Sequence, residues 1–366
     1  MSEWKEYKLS EFVQFGNGKE RPKTKGDIPV FGGNGILGYC DSSNYNGETI
    51  IIGRVGAYCG SVYYQDKPIW VSDNALAAKP KNGYNAKFLY YFLRNLDLNS
   101  YAEGSSHPLV TQTLLNSIDI SITDDVKIQT AIAEVLSSLD DKIDLLHRQN
   151  KTLEQLAETL FRQWFIEEAD ESWEVGTIDD VVSMKGGTTP STTEQKYWDG
   201  NIHWTSPRDL SNTTSIFLFD TSRKITEEGL KQISSGLLPV GTLLLSSRAP
   251  IGYLAITEIP VAINQGYIAI ICDKIVSNYF MFLWCKANME MIENAGNGSV
   301  FQEISKAAFR TLDFLIPPKE KIKHFDKEIE PLFQKIKSNT QQIRTLTQLR
   351  DTLLPKLMSG EIRVKS

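Results

Sequence analysis

Side chains able to do chemistry are sparse in this chain, and those that stand out suit polar recognition. KERPKTK (19–25) brings Lys19, Arg21, Lys23 and Lys25 together behind a glycine-containing turn. Arg54 and Arg248 each follow an apolar strand-like run and open a turn, in ETIIIGRVGAYCG and GTLLLSSRAPIG. GSSHP (104–108) and GNGS (296–299) each precede a helix-like stretch. Such groups donate hydrogen bonds to anionic or carbonyl partners, and by themselves they cleave and transfer nothing. Groups organised for catalysis do not occur. There is no GxxxxGK[ST] phosphate cradle, no GxSxG elbow and no HExxH pair, and GGNG (32–35) lacks both GxGxxG spacing and a helix start behind it. Methyl transfer to a DNA amino group needs an Asn/Asp-Pro-Pro-aromatic loop, and the one Pro-Pro pair lies in LIPPKE. His107, His147, His203 and His324 are scattered. Cys40, Cys59, Cys272 and Cys285 form no CxxC pair, which predicts reduced structural thiols and no metal site.

The elements that carry these turns are written twice. TLEQLAETL (152–160) returns 193 residues later as TLTQLRDTL (345–353), with six of nine letters kept. At that offset Ile132, Leu136, Leu139, Ile143 and Leu153 fall on Phe325, Ile329, Leu332, Ile336 and Leu346. Gly104 falls on Gly298 at offset 194, and WKEYKLSEFVQFGNG (4–18) matches WEVGTIDDVVSMKGG (173–187) at offset 169. The second copy therefore holds an insertion of 24 residues, expected between about Thr188 and Asp220. The 366 residues read as a tandem duplication with room for two ordinary domains.

Each copy begins with short β-rich runs between Gly, Asn and Ser turns, adds a short aromatic helix (AKFLYYFLRN, SNYFMFLWCKAN), and ends in a long helix. In the first long helix the apolar positions step by four and three from Ile132 to Trp164, the seam of a coiled coil, and no Pro or Gly interrupts 126–168. The second repeats the seam from Phe325 to Leu357, with Pro331 and Pro355 as expected bends. The fold class is α+β: globular segments at 1–125 and 171–317, and long helices at 126–168 and 319–359 that pack on each other as an antiparallel coiled coil. Charge favours that pairing. Residues 126–170 carry five Lys or Arg against nine Asp or Glu, and 318–366 carry eleven against six. No apolar run approaches the roughly 18 residues of a membrane helix, and the N-terminus lacks a leader pattern, so the cytoplasm is the expected compartment.

In order and duplication these pieces resemble the specificity subunit of type I restriction-modification systems. The resemblance spans the whole chain and rests on the two opening segments, on IPVFGGNGILGY and YWDGNIHWTSPRDL, on the strand-Arg turns, and on the helix ends TLEQLAETLFRQWF and LRDTLLPKLMSGEIRV. It implies two target recognition domains, whose helices set the distance between them, reading an asymmetric bipartite site on double-stranded DNA. It also implies two methylation subunits and two motor/endonuclease subunits as partners, with no membrane. S-adenosylmethionine, ATP and Mg would belong to those partners, this chain binding no cofactor and catalysing nothing. The expected DNA contacts are Lys19, Arg21, Lys23, Lys25, Asn34, Arg54, Ser105 and His107 in the first domain, and Thr188, Arg208, Arg248, Asn264 and Ser299 in the second. The net charge of −6 opposes simple phosphate binding, and the partner subunits supply much of the clamp in this family. Two other classes stay open: a coiled-coil interaction scaffold that reads no DNA, and a nuclease whose site follows no known pattern.

If the helices run antiparallel about a pseudo-twofold axis, paired residue numbers have a constant sum. A sum of 489 sets Asn150 against Asn339, Leu146 against Ile343 and Trp164 against Phe325. The two asparagines are then expected to satisfy each other and lock the register. One pair breaks the pattern: Leu139 meets Arg350, whose head is expected to reach water.

Overall fold

Buried strands with alternating residues sent to two different cores organise both copies. The computed structural model describes residues 4–104, 108–211, 213, 215–248, 250–298 and 302–364. Contacts divide the chain into two units, residues 1–145 with 344–366 and residues 146–343. The four successive segments drawn from the sequence thus regroup, because each globular segment packs on one end of each long helix.

In the first unit, TIIIG forms β5 (Thr49–Gly53), buried at every residue. Ile50 and Ile52 enter a core with Leu9, Phe12, Phe88 and Leu357, while Ile51 turns to a second core with Phe31, Ile69 and Val71. The period of two in a strand requires that split. β5 lies in a sheet of order β2-β8-β5-β6, where β2 is Val13–Asn17, β6 Val62–Gln65 and β8 Ala75–Pro80. A second sheet has order β4-β3-β7, with β3 Ile28–Gly32, β4 Gly35–Cys40 and β7 Trp70–Val71, β3 and β7 being parallel. β1 (Trp4–Lys8) pairs with β9 (Asp119–Thr123) ahead of the first long helix, Val126–Arg162.

The second unit repeats this plan. β10 (Glu174–Thr177) pairs with β19 (Asp313–Ile316). β11 (Ser183–Gly186), β18 (Tyr267–Ile271), β15 (Leu243–Ser247) and β16 (Ile251–Thr257) follow in the order of the first sheet, with β13 (Phe217–Leu218) added at the edge. β14 (Arg223–Ile225), β12 (Trp198–Thr205) and β17 (Val261–Ile263) form the second, with β12 and β17 parallel. Leu243 and Leu245 of β15 enter one core and Leu244 another, as in β5. The short aromatic helices begin at matching caps: the Asn85 side chain accepts from Phe88 N and that of Ser277 from Phe280 N.

Matched backbone hydrogen bonds show where the surplus residues lie. Lys19 N donates to Val71 O and Thr188 N to Ile263 O; Ser72 N donates to Phe31 O and Asn264 N to Thr205 O. The offset is therefore 169 at Thr188 and 174 at Thr205, and it reaches 193 only by β15. About five extra residues precede Thr205 and the rest fall between Ser206 and β15, further along than the sequence comparison placed them. Short elements can be inserted there because the turn from β12 lies at the surface.

The first long helix ends as an α-helix at Arg162, and one π turn (Gln163–Glu167) follows, short of the expected 168. The second runs Lys319–Met358 through both prolines. Within the second unit Asn339 Nδ2 donates to Asn150 Oδ1 (2.9 Å), and the Trp164 and Phe325 rings are 5.6 Å apart. Both pairs sum to 489, so these helix segments are antiparallel in the expected register. The asparagines are not reciprocal, however. Asn150 Nδ2 turns to Thr340 Oγ1 (3.3 Å), and Asn339 Oδ1 is buried without a hydrogen-bond partner among the described residues. Within the first unit the Arg350 head is held in ion pairs and only 12% exposed: it pairs with Asp140 (2.7 Å), next to the leucine expected opposite it, and with Asp351 (2.8 Å).

Candidate nucleic-acid interface

The candidate residues cluster where strands end in turns. In the first unit GGNG forms the β3–β4 hairpin, Gly32 pairing with Gly35 around a two-residue turn, Gly33–Asn34. Gly35 takes φ +80, a left-handed conformation that favours glycine. Asn34 is exposed at the tip. The Gly33 carbonyl accepts from Ser61 Oγ (2.5 Å) and Tyr63 Oη (3.2 Å), which pins this turn against the β5–β6 loop holding Arg54. Arg54 bridges the same loop to two others, its N donating to Asn74 O (3.0 Å) and its carbonyl accepting from Val110 N (2.9 Å). Its guanidinium Nε is buried without a hydrogen-bond partner among the described residues. A buried donor left so is costly.

The basic run does not converge on this point as a whole. Lys19 begins beside β7, its N bonded to Val71 O (3.0 Å). Arg21 is tied to β4 through Leu37 O (3.1 Å), and Thr24 Oγ1 bonds Asp41 Oδ1 past the end of β4. The segment thus follows β4 away from the Asn34 turn, carrying exposed Lys23 and Lys25 to the opposite end of the strand, about 17 Å off. Those two lysines do not share the tip with Asn34 and Arg54.

In the second unit Thr188, Arg208 and Asn264 come together, and Arg248 follows Ser247, whose N donates to Gly266 O (2.8 Å). Thr188 Oγ1 donates to Gln232 O (2.9 Å) and accepts from Ser234 N (3.1 Å). Asn264 Oδ1 accepts from Gly266 N (2.9 Å), closing an Asx turn. A Cβ on Gly266 would stand 3.0 Å from Pro207 Cγ, so the Ser206–Leu210 turn that exposes Arg208 lies directly on this segment. Arg248 reaches Glu303 at 3.6 Å, both side chains well solvated, a pair of little energetic weight.

Arg54 and Arg248 do not occupy matching places. Val110 N bonds Arg54 O where Ile304 N bonds Ser247 O, and Val55 bridges Leu109 where Arg248 bridges Glu303. Arg54 thus corresponds to Ser247 and Val55 to Arg248. The two motifs look alike as strings, but a slip of one residue reverses side-chain direction in extended backbone. The bridges Glu103–Leu109 and Asn297–Glu303 lie at equivalent places in the two units. Ser105, His107 and Ser299 lie outside the described residues.

Some candidates escaped the sequence reading. Arg223 lies 3.4 Å over the Trp198 ring on the β12–β14 surface, and Gln265 accepts from Thr189 Oγ1 (2.7 Å) beside Asn264. Tyr58, half-exposed in the β5–β6 loop, adjoins the Asn34 turn. The signal for Tyr58 was an aromatic residue between Gly56 and Gly60 in GAYCG, where a turn keeps its ring out of the core. No group of three or more potential metal ligands occurs among the described residues.

Residues 1–155 and 170–348 each match the family described as type I restriction modification DNA specificity domain. The MjaIX type I restriction enzyme specificity subunit of Methanocaldococcus jannaschii is 37% identical over 182 residues, 47% of this chain and 42% of that protein. The HindI specificity subunit of Haemophilus influenzae is 23% identical over 357 residues, 75% of this chain and 77% of the other. The first of these matches thus spans less than half of its relative. Among solved structures, the type I restriction-modification S subunit from M. genitalium superposes with a TM-score of 0.66 at 18% identity, covering 97% of this chain and 96% of that one, a likeness of fold.

Proposed function

The chain belongs to the family of type I restriction-modification DNA specificity domains, and from that premise we propose that it reads a bipartite, asymmetric DNA site, one half per unit, and directs methylation and cleavage carried out by partner subunits. DNA sequence specificity is the role that defines the family. One observation supports the finer reading: equivalent backbone stations carry different side chains. Lys19 stands where Thr188 stands, Val55 where Arg248 stands and Ser72 where Asn264 stands. One scaffold presenting two sets of donors, acceptors and apolar groups suits two unlike half-sites, since base edges are told apart by those groups.

The reaction chemistry belongs to the partners in this reading: two methylation subunits and two motor/endonuclease subunits, holding S-adenosylmethionine, ATP and Mg. The long helices position the reading surfaces and offer those partners a docking rod. A chain of net charge −6 draws much of its phosphate contact from the partners, so weak binding by the chain alone and tight binding with a methylation subunit are expected. No helix among the described residues is long and apolar enough to cross a membrane. Work on DNA is in keeping with the cytoplasm as the compartment of this reading.

The test is the methylome of a host with and without the gene. A single bipartite motif should lose its methylation on deletion and regain it on complementation. A methylome unchanged by deletion, with no DNA binding by the chain and its co-expressed methylation subunit, would reduce the chain to a scaffold.

A further inference from the structure

Val55 and Tyr58 are large, apolar and unusually open for a loop this well tied down. Tyr58 is 52% exposed and Val55 39%. The loop itself is rigid: Cys59 N bonds Gly56 O, Gly60 N bonds Gly53 O and Ser61 N bonds Tyr58 O. A Cβ on Gly53 would collide with the Tyr58 carbonyl, and one on Gly33 would stand 3.6 Å from Tyr58 Cβ. The tyrosine is therefore held against the Gly33–Asn34 turn with its ring left outside, where hydrophobic burial contributes little to folding. The equivalent place in the second unit is written differently. Between β15 and β16 it has Arg248, Ala249 and Pro250, without an aromatic residue, and Arg248 replaces Val55.

From this we infer that Tyr58, with Val55 beside it, is a specificity-determining residue of the first unit, reading its half-site by apolar contact with the 5-methyl groups of thymine. The inference rests on the reading given under Proposed function. The occupant follows from continuity, since Tyr58 adjoins the turn that carries Asn34 and lies in the loop that opens at Arg54, both candidate DNA contacts. Of the features a base pair shows in the major groove, only the thymine methyl is apolar. A tyrosine on a fixed backbone has only two side-chain torsions to lose on contact, so the methyl contact retains most of its worth.

The experiment uses the chain co-expressed with its methylation subunit. Once the methylome has defined the motif, binding is measured on duplexes in which each thymine of each half-site is replaced by deoxyuridine, which removes only the methyl group. Replacement should weaken binding about fourfold per contacted methyl in one half-site. Tyr58→Phe should keep that sensitivity and Tyr58→Ala should abolish it, with the other half-site of the methylome motif unchanged. Arg208→Ala should relax the opposite half-site and so assign each half to its unit. A first half-site without thymine, indifference to deoxyuridine, or equal sensitivity in Tyr58→Ala would overturn the inference. The deoxyuridine measurement needs no variant, so misfolding of Tyr58→Ala does not remove the test. Absence of any bipartite motif would instead count against the specificity reading itself, whereas a clear motif with methyl-indifferent binding sinks only the role of Tyr58.

Discussion

Asp140 of the first long helix and Phe333 of the second stand 193 residues apart, at the same place in the two copies. Each faces the short aromatic helix of its own unit. In the first unit Tyr91 Oη donates to Asp140 (2.7 Å), and Arg350 pairs with the same carboxylate (2.7 Å), the two charged side chains being 12% and 24% exposed for Arg350 and Asp140. In the second unit Phe333 is fully buried, stacked on Tyr279 at 4.4 Å and edge-on to Phe282 at 5.8 Å. By the repeat, Leu283 replaces Tyr91 and Ala157 replaces Arg350. The difference shows that the fold asks this station only to be filled. A satisfied ion pair and an aromatic plug both serve, but they fail differently: an aromatic loses contact area, whereas half an ion pair leaves a buried charge.

The largest expected effect follows from breaking the pair on one side. Asp140→Ala leaves the Arg350 guanidinium with only the better-exposed Asp351 (2.8 Å) and Tyr91 Oη without its acceptor, and should cost about 2–4 kcal/mol in urea unfolding. A loss under about 1 kcal/mol would show that the pair is solvated in practice. Copying the second unit into the first sharpens the comparison. Tyr91→Leu, Asp140→Phe and Arg350→Ala together should leave the protein as stable as the wild type or up to about 4 kcal/mol more stable, because desolvation of the ions is no longer required. If the triple variant proves as unstable as Asp140→Ala, the charged network is specific to its unit and the stations are not interchangeable.

A smaller effect is expected at the seam asparagines. Asn150→Leu leaves the Asn339 amide, already one bond short, with only the long bond of its Nδ2 to Gln149 Oε1 (3.4 Å), and should cost about 1–3 kcal/mol. Asn339→Leu should cost less, since it removes an acceptor that has no partner; the reverse ranking would mean that this oxygen is satisfied in solution.

The smallest effect concerns pH and the second unit alone. Burial raises the Asp326 carboxyl above its ordinary 3.8, against the opposing bond from Ser277 Oγ (2.6 Å). A raised carboxyl favours its protonated form on folding, so its contribution is complete below about pH 3.8 and is lost as pH rises through the folded value. Asp326→Asn should therefore match the wild type near pH 3 and gain on it at neutral pH, read as the difference between two unfolding curves. An Asn variant that loses ground toward neutrality would mean that the Ser277 bond dominates.

The antiparallel register was legible because it needs only a heptad seam and a repeat: Asn150 meets Asn339 and Trp164 meets Phe325 as the constant sum requires. The strands were legible for a similar reason, since TIIIG and TLLLSS are local apolar runs between turn residues. The network at Asp140 was not. Residues 91, 140 and 350 meet only when two helices and a third from the globular segment are packed together, and no local pattern records that juxtaposition.

The candidate interface divides in the same way. Residue type and turn chemistry were enough to place Asn34 and Arg208 at exposed turns and Asn264 in a turn, because Gly, Asn and Pro limit where the backbone can turn. String similarity also paired Arg54 with Arg248, and there the tertiary structure decided otherwise. Which way an extended residue points depends on its hydrogen-bonded neighbours, Val110 and Glu303, which lie far off along the chain and hold the two arginines one residue out of step.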